Sequence, residues 1–408
     1  MSPDRNNPSI ATGHAVLADR IFDGHGWHAE AAALVRDGRI VGLGSWGDVP
    51  PDWPLTRLPA GAFLAPGFID LQVNGGGGVL LNNQPTADGM RSIARAHRRY
   101  GTTACLPTLI TDTRERVRTA IAAARSIGGR DGVLGLHLEG PFISPRRPGV
   151  HPPDRIAKPG AGDLEELCEL ADAGRSLVTL APECVPAGFL RKLASSGVRI
   201  SIGHSEAPAA TVMQAVADGA TGVTHLFNAM PPLSARAPGI IGAALADRRL
   251  TAGLIVDGIH VDPISVRAAF AAKGSDRIAL VTDAMPTVGT SLDRFELVGQ
   301  TIKLADGRLT TEDGTLAGTH LDMVSALRNV VRLAQLPLED ALRAASLTPA
   351  RFLGLDNERG ALVPGARADL VALTPELRVF ATWLDGSTDD VKSFEQSAPT
   401  ECATRSSR

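Results

Sequence analysis

Residues 198–227, VRISIGHSEAPAATVMQAVADGATGVTHLF, contain two apolar runs that each include a histidine and are separated by a helix-like stretch. The runs are residues 198–204 (VRISIGH) and 221–227 (TGVTHLF), and residues 207–218 form an amphipathic helix candidate between them. Near-continuous apolar runs are typical of parallel strands that are buried on both faces. The segment therefore predicts a strand–helix–strand unit that presents His204 and His225 at the carboxyl ends of its strands.

The same pattern recurs on both sides of this segment. Six further apolar runs, most of them ending in a polar residue, occupy residues 65–73 (APGFIDLQV), 103–109, 133–139 (VLGLHLE), 177–183, 252–257 (AGLIVD) and 278–283 (IALVTD). Further helix candidates lie at residues 87–100, 114–127, 164–173 and 263–273. Eight strand–helix units predict an α/β protein with a (β/α)₈ barrel. The alternative is an open doubly wound sheet, but no GxGxxG motif follows the first run, so we favour the barrel.

The two flanks of the barrel have a different pattern. Residues 13–63 and 361–386 contain short alternating strands bounded by turn signals such as DGHG and RDGR. Neither flank alone has enough apolar residues for a core, so we expect both to form one small, discontinuous β-sandwich domain beside a barrel of residues 64–360. Residues 1–12 and 387–408 are polar and aperiodic, and we predict that both are disordered.

Composition excludes several classes of function. The 408 residues include 41 basic and 44 acidic side chains, a net charge of −3, which gives no general attraction to nucleic acid or to an anionic membrane. The four cysteines form no CxxC pair, which argues against a disulfide framework. The chain shows neither a signal segment nor a long apolar span. We therefore expect a cytoplasmic protein without a nucleic-acid or membrane partner.

Four residues at the ends of the predicted strands suggest a metal-dependent enzyme. The (β/α)₈ fold places its active site at the carboxyl ends of the strands, where Glu139, His204, His225 and Asp283 stand. Two imidazoles and one carboxylate are a ligand set of catalytic zinc, and a second carboxylate can then transfer protons. Each residue alone could instead be a hydrogen-bonded structural histidine, a turn residue or a helix cap. Their occurrence at matching positions favours the metal site.

Several motifs, in this order, resemble the N-acetylglucosamine-6-phosphate deacetylases of the amidohydrolase superfamily. They are PGFIDLQVNGGGG, LPTLIT, GLHLEGPFIS, IGHS, THLFNAM, GLIVDGIHV, LVTDAM and GTLAG, spread over residues 16–373. The resemblance implies a (β/α)₈ barrel with a small β-sandwich built from both chain ends, and a homodimer. It also implies hydrolysis of N-acetylglucosamine 6-phosphate to glucosamine 6-phosphate and acetate.

The resemblance further implies roles for individual residues. Glu139, His204 and His225 correspond to the metal ligands, and Asp283 corresponds to the general acid/base. The residues that correspond to the substrate-binding ones are Val150, His151, Asn228, Ala229, Arg236, His260 and Leu316. Of these, Arg236 is expected to reach into the site of the partner subunit.

One position departs from the wider superfamily, where many members carry HxH at the end of the first strand. Here the sequence is Gln72-Val73-Asn74, and neutral amides are poor ligands for zinc-like ions. We therefore expect one divalent ion per subunit, Zn²⁺ in the first place, although Fe²⁺ accepts the same ligands. The alternatives are a deacetylase of N-acetylgalactosamine 6-phosphate, another amidohydrolase of a cyclic amide, and a catalytically inactive barrel relative.

Overall fold

The computed structural model describes residues 13–388. The predicted disordered segment 1–12, and residues 389–408 of the predicted tail, lie outside the described residues. Ser387, the first residue of that predicted tail, pairs with Leu384 through a β-bridge. Among residues 13–388, every helix is too short or too polar to cross a membrane.

The strands of the described chain fall into four sheets. In chain order they are β1 (His14–Phe22), β2 (Trp27–Arg36), β3 (Arg39–Ser45), β4 (Leu55–Arg57), β5 (Phe63–Pro66), β6 (Phe68–Val73), β7 (Gly75–Gly76), β8 (Val79–Leu80), β9 (Thr102–Ile110), β10 (His137–Glu139), β11 (Leu177–Leu180), β12 (Arg199–Ile202), β13 (Gly222–Val223), β14 (Thr251–Leu254), β15 (Ile278–Leu280), β16 (Arg294–Leu297), β17 (Gln300–Ala305), β18 (Arg308–Thr310), β19 (Leu316–Thr319), β20 (Leu370–Leu373) and β21 (Val379–Trp383).

The helices follow the strands closely along the chain. They are α1 (Ala87–Arg98), α2 (Arg114–Ile127), α3 (Asp163–Cys168), α4 (Phe189–Ser195), α5 (Ala209–Ala217), α6 (Gly239–Ala246), α7 (Pro263–Lys273), α8 (Met323–Arg332), α9 (Leu338–Ala345) and α10 (Leu347–Leu353). Short 3₁₀ helices occupy Trp46–Asp48, Pro153–Arg155, Glu169–Ala173 and Pro182–Cys184.

The eight strands β6 and β9–β15 form one parallel sheet in which each strand pairs with the next along the chain. The sheet closes where Val73, at the end of β6, bridges to Ala284 beyond β15. Nearby, the Asp283 amide donates to the Gln72 carbonyl over 2.9 Å. The predicted (β/α)₈ barrel is confirmed, and its seam lies at the carboxyl ends of the strands.

Local sequence accounts for most of these elements. All nine residues of β9 are buried, as its continuous apolar run predicts. The Thr113 side chain caps the first turn of α2 by accepting from the Arg116 amide, and Gly128 ends the helix in the left-handed region at φ +61°. The observed helix α2 has the predicted bounds. Seven of the eight barrel strands, in contrast, are shorter than their apolar runs, whereas β9 extends one residue beyond its run at each end. Strands β12 and β13 end two residues before His204 and His225.

Both chain ends contribute to a second sheet beside the barrel. Its strand order is β21-β20-β5-β1-β2-β3, and β4 also pairs with β1. The core of this sheet includes Val16, Ile21, Leu64, Leu370 and Trp383, all of them buried. The prediction of a small β domain built from both flanks is therefore confirmed. The exact domain boundaries at residues 63/64 and 360/361 stay a prediction.

A four-stranded antiparallel sheet, β16–β19, is inserted between β15 and α8. The sequence analysis did not predict it, although turn signals occur at Gly299 and at Asp306-Gly307. Its apolar face packs against Met285, just past β15, and Ile110, at the end of β9. This packing brings β19 to the mouth of the barrel.

Candidate metal centre and substrate pocket

The three predicted metal ligands converge at the carboxyl end of the barrel. Glu139 Oε1 lies 3.0 Å from His225 Nε2 and 3.3 Å from His204 Nε2, and the two imidazole nitrogens are 3.1 Å apart. Donor atoms that surround one Zn²⁺ tetrahedrally at its usual bond lengths lie about 3.3–3.6 Å from one another. These residues therefore fit a small divalent cation in both donor type and spacing.

The backbone at this site is unusual. His204, His225 and Asp283 have φ angles of +47°, +32° and +53°. Residues other than glycine rarely adopt this left-handed region, and each such residue costs about 1–3 kcal/mol. The left-handed conformation of His204 and His225 explains why β12 and β13 end before these histidines, because a residue in that conformation cannot continue a strand.

The charges of the cluster suit a cation. Burial raises the pKa of the Glu139 carboxyl, but hydrogen bonds and charges from His204 and His225 outweigh burial and hold that pKa well below its usual value. Burial likewise lowers the pKa of His225, but Glu139 outweighs it and raises that pKa. Glu139 is therefore a carboxylate, the protonation state that metal binding requires.

A fourth side chain stands beside this cluster. His151 Nε2 lies 4.0 Å from Glu139 Oε2, and the His151 ring centroid is 4.4 Å from that of His204. Glu139, His151 and His204 can also bring one donor atom each within 4.8 Å of one another. Two possible ligand sets thus share Glu139 and His204, and the third member is either His225 or His151.

Gln72 and Asn74 donate hydrogen bonds to carboxylates at this site. Gln72 Nε2 lies 3.2 Å from each Glu139 oxygen and 3.2 Å from Asp283 Oδ1. Asn74 Nδ2 lies 2.5 Å from Asp283 Oδ1. The NH₂ groups of both amides are thus engaged by carboxylates, and an amide NH₂ group has no lone pair to offer a metal ion, whereas the buried Asn74 Oδ1 has no hydrogen-bond partner among the described residues.

Asp283 lies at the centre of the site and is half-buried. Burial, followed by the charge of Glu139, raises the pKa of the Asp283 carboxyl to about 6. A carboxyl with a pKa near neutrality is suited to accept and return a proton.

A cavity of about 740 Å³ opens above these residues. It is lined by Asn74, Ile110, Glu139, Gly149, Val150, His151, His204, His225, Asn228, Ala229, Ile255, His260, Asp283, Met285, Thr315, Leu316 and Gly318. The structure thus brings together every predicted site residue except Arg236. Arg236 is exposed in the loop between β13 and α6 and does not line the cavity.

Some contacts of the site were not predicted from the sequence. His260 Nδ1 donates to Asp257 Oδ2 over 2.6 Å. Burial raises the pKa of Asp257, but the hydrogen bond and charge of the His260 side chain, together with hydrogen bonds from the His260 and Ile259 amides, outweigh burial and lower that pKa. Thr315 and Gly318 enter the lining with the inserted sheet, and Thr111 bonds to His151. Asp257 stood at a predicted strand end, and the other three lie within the motifs LPTLIT and GTLAG, which assigned them no role.

Comparisons with known proteins agree with this geometry. Residues 63–393 match the Amidohydrolase family. The chain is 40% identical to an N-acetylgalactosamine-6-phosphate deacetylase of Shewanella over 393 residues, which are 95% of this chain and 97% of that protein. It is 35% identical to an N-acetylglucosamine-6-phosphate deacetylase of Haemophilus influenzae over 328 residues, 79% of this chain and 85% of that protein.

A solved structure shows the same similarity in three dimensions. N-acetylglucosamine-6-phosphate deacetylase from Pasteurella multocida superposes with a TM-score of 0.89 at 33% identity. The match covers 92% of this chain and 99% of that one. The chain therefore belongs to the amidohydrolase family and, within it, to the group of N-acetylglucosamine- and N-acetylgalactosamine-6-phosphate deacetylases.

Proposed function

We propose that this protein hydrolyses N-acetylglucosamine 6-phosphate to glucosamine 6-phosphate and acetate. The observation that carries the proposal is the convergence of Glu139, His204 and His225 beside Asp283, at the base of a cavity large enough for a sugar phosphate. N-acetylgalactosamine 6-phosphate is a second candidate substrate, because a deacetylase of that epimer is 40% identical over nearly the whole chain.

In this proposal, Glu139, His204 and His225 hold one divalent ion per subunit. Zn²⁺ is the expected ion, and Fe²⁺ is an alternative for the same donors. Such an ion, when bound, supplies Lewis acidity that activates water and polarises the amide carbonyl. Asp283 accepts a proton from the attacking water at its carboxylate and passes it to the leaving amine nitrogen. Gln72 and Asn74 hold the Asp283 carboxylate in place during both transfers.

The phosphate needs a cation that the cavity itself lacks. Among the described residues that line the cavity there is no lysine or arginine, and His260 is bonded to Asp257. With a net charge of −3, the protein as a whole does not attract a dianionic phosphate electrostatically. We therefore propose a homodimer in which Arg236, exposed on its loop, reaches the phosphate in the partner subunit's site. The planar guanidinium suits phosphate oxygens.

Arg236→Ala is expected to lower kcat/KM for the phosphorylated substrate but not for the unphosphorylated sugar. Truncating one partner of a charged pair costs roughly 2–4 kcal/mol, so kcat/KM for the 6-phosphate should fall by about 30- to 1,000-fold. Activity on the unphosphorylated sugar, which lacks that charge, should change little. Arg118→Ala is the control, because Arg118 lies on α2 and pairs with Glu166 at the surface. An equal loss on both sugars would contradict the assignment.

Mixing two impaired chains tests which subunit supplies Arg236 to a given site. Heterodimers of an Arg236→Ala chain and an Asp283→Asn chain contain one site with an intact Asp283 that receives Arg236 from its partner. We therefore expect partial recovery of activity in the mixture. Heterodimers that form without any recovery would show that Arg236 does not act across the interface.

The reaction itself is tested by acetate release from a substrate panel on protein of known metal content. The panel contains both 6-phosphate epimers, unphosphorylated N-acetylglucosamine and a cyclic amide, whose ring opening releases no acetate and is followed instead by loss of the substrate. The proposal expects the highest kcat/KM for N-acetylglucosamine 6-phosphate, and a higher value for the galacto epimer would favour the second candidate. No acetate from either 6-phosphate would overturn both candidate substrates.

We further propose the cytoplasm as the compartment of this protein, because Cys105, Cys168 and Cys184 are unpaired.

A further inference from the structure

We infer that His97, a buried histidine on α1, is a positioning residue for proton transfer by Asp283. It acts through the hairpin of residues 75–80 (the glycine hairpin), which consists of β7, a turn at Gly77-Gly78 and β8. The hairpin joins Asn74, which contacts the Asp283 side chain, to the segment that follows Asp283. The inference rests on the proposed deacetylase function for the step that Asp283 performs.

The glycine hairpin binds the backbone directly after Asp283. Three of its amides donate hydrogen bonds of 2.8–3.0 Å to carbonyls of residues 284–288, from Gly75 to Ala284, from Gly77 to Val288 and from Gly78 to Pro286. Consecutive glycine amides can also form an anion-binding nest, but these three donors are engaged by the protein itself. The run of four glycines therefore serves to attach the end of β6 to the chain that leaves β15.

Asn74 links the hairpin to the Asp283 carboxylate. The Asn74 carbonyl accepts from the Leu81 amide over 2.9 Å at the base of the hairpin, and Asn74 Nδ2 lies 2.5 Å from Asp283 Oδ1. Asp283 itself has a φ of +53°, a conformation that persists only where the surroundings hold it. Asp283 is thus held twice, at its side chain by Asn74 and at its following backbone by the hairpin.

His97 supplies a hydrogen bond to the outer edge of the hairpin. The residue is fully buried, and its Nε2 lies 2.9 Å from the carbonyl oxygen of Gly75. A carbonyl can only accept, so His97 donates from Nε2–H. Burial lowers the pKa of His97, so the ring is neutral at pH 7. Its Nδ1 has no hydrogen-bond partner within residues 13–388, so the bond of this ring goes to the hairpin.

The absence of side chains in the hairpin allows these contacts. A Cβ on Gly76 would lie 2.7 Å from His97 Nε2, and a Cβ on Gly75 would lie 2.8 Å from the Pro286 nitrogen. Both distances are too short for a side chain, so the hairpin backbone fits closely between α1 and the segment after Asp283. A displacement of the hairpin at His97 is therefore passed on to Asn74 and Asp283.

His97 can affect the reaction only through other residues. It is absent from the set that lines the cavity, and the three converging ligands follow other strands, β10, β12 and β13. Without the His97 donor, a buried carbonyl loses its bond and the hairpin is free to shift. A displacement of about 1 Å in a reacting group can lower the rate about 10²-fold. Loss of this donor should therefore slow proton transfer and leave metal and substrate binding intact.

The first test compares variants of His97 by kinetics on zinc-loaded protein. His97→Leu should lower kcat by about 10- to 100-fold with unchanged KM and metal content. His97→Gln should restore most of kcat, because its amide nitrogen lies as many bonds from Cα as histidine Nε2. His97→Met is a second variant without a donor, whose flexible side chain fills the space if leucine does not pack.

Thr348→Val is the control for these variants. Thr348 is a buried residue on α10 whose hydroxyl donates to the Ser275 carbonyl before β15. This variant also loses a buried bond to a backbone carbonyl, but it should keep the wild-type kcat. A wild-type kcat in the leucine and methionine variants, or an equal loss in His97→Gln, would contradict the inference.

A double-mutant cycle distinguishes positioning from a general loss of stability. Asn74→Ala should lower kcat by a factor similar to that of His97→Leu, because both changes release the same carboxylate. The two changes combined should lower kcat far less than the product of the single losses, since residues that act through one contact are not independent. A double variant whose loss equals that product would show that His97 does not act through Asn74 and would overturn the inference.

Crystal structures of the zinc-loaded proteins without substrate give a readout that does not depend on activity. We expect the wild type and His97→Gln to keep the contact between Asn74 Nδ2 and Asp283. In His97→Leu the hairpin should shift and this contact should lengthen beyond about 3.5 Å. An unmoved hairpin in His97→Leu would overturn the inference. A wild-type protein that releases no acetate would instead reject the proposed function, while the structures still decide whether His97 holds Asn74 against Asp283.

Discussion

Replacement of His225 by alanine is expected to abolish both metal binding and acetate release. His225 Nε2 lies within 3.1 Å of the donor atoms of both Glu139 and His204, so its loss removes one of three ligands and leaves the Glu139 charge less compensated. Elemental analysis of the purified variant should find less than one tenth of an ion per subunit. Turnover should fall to the background rate, because the variant lacks the activated water.

His28→Ala is the matched control for this variant. His28 is a partly exposed histidine on β2 that bonds to Asp23, far along the chain from the cluster. It should keep one ion and full activity. If His225→Ala retained its ion while His151→Ala lost it, the set Glu139, His151 and His204 would be the true site. Two tightly held ions in the wild type would contradict the single-ion expectation from Gln72 and Asn74.

Much of the fold could be predicted because burial on both faces leaves a strong signal in a parallel strand. The eight apolar runs correspond to β6 and β9–β15, and the capping residues Thr113 and Gly128 define α2 from local sequence alone. The convergence of the candidate ligands followed from the fold, since the carboxyl ends of barrel strands meet around one opening.

Other features depend on contacts between distant segments. The inserted sheet β16–β19 is stabilised by packing on Met285 and Ile110, and its short alternating strands resemble those of the flanks. The bond from Thr111 to His151 joins residues 40 positions apart and needs the space left by Gly140. The left-handed conformations of His204 and His225 could not be predicted from the sequence either, because histidine gives no indication of a positive φ.

Asp283→Asn is expected to lower turnover by at least about 10²-fold while the ion and the substrate still bind. Asparagine keeps the size of the side chain and can still contact Asn74 and Gln72, but it cannot accept the proton of the attacking water. Asp283 is not one of the three converging ligands, so metal content should stay at one ion per subunit. Asp276→Asn is the control, since Asp276 pairs with Arg248 at the surface.

The pH dependence of kcat/KM gives this assignment a second, independent test. Burial and then the charge of Glu139 raise the pKa of Asp283 to about 6. A general base acts only when ionised, so kcat/KM should fall as the pH drops through about 6, and a bound cation moves this limb to lower pH. The residual activity of Asp283→Asn should lack the limb. Glu139 cannot take over the role, because His204, His225 and Gln72 occupy its oxygens and its pKa lies well below the normal range. Near-normal turnover in Asp283→Asn would therefore assign proton transfer to a group other than Asp283 and Glu139.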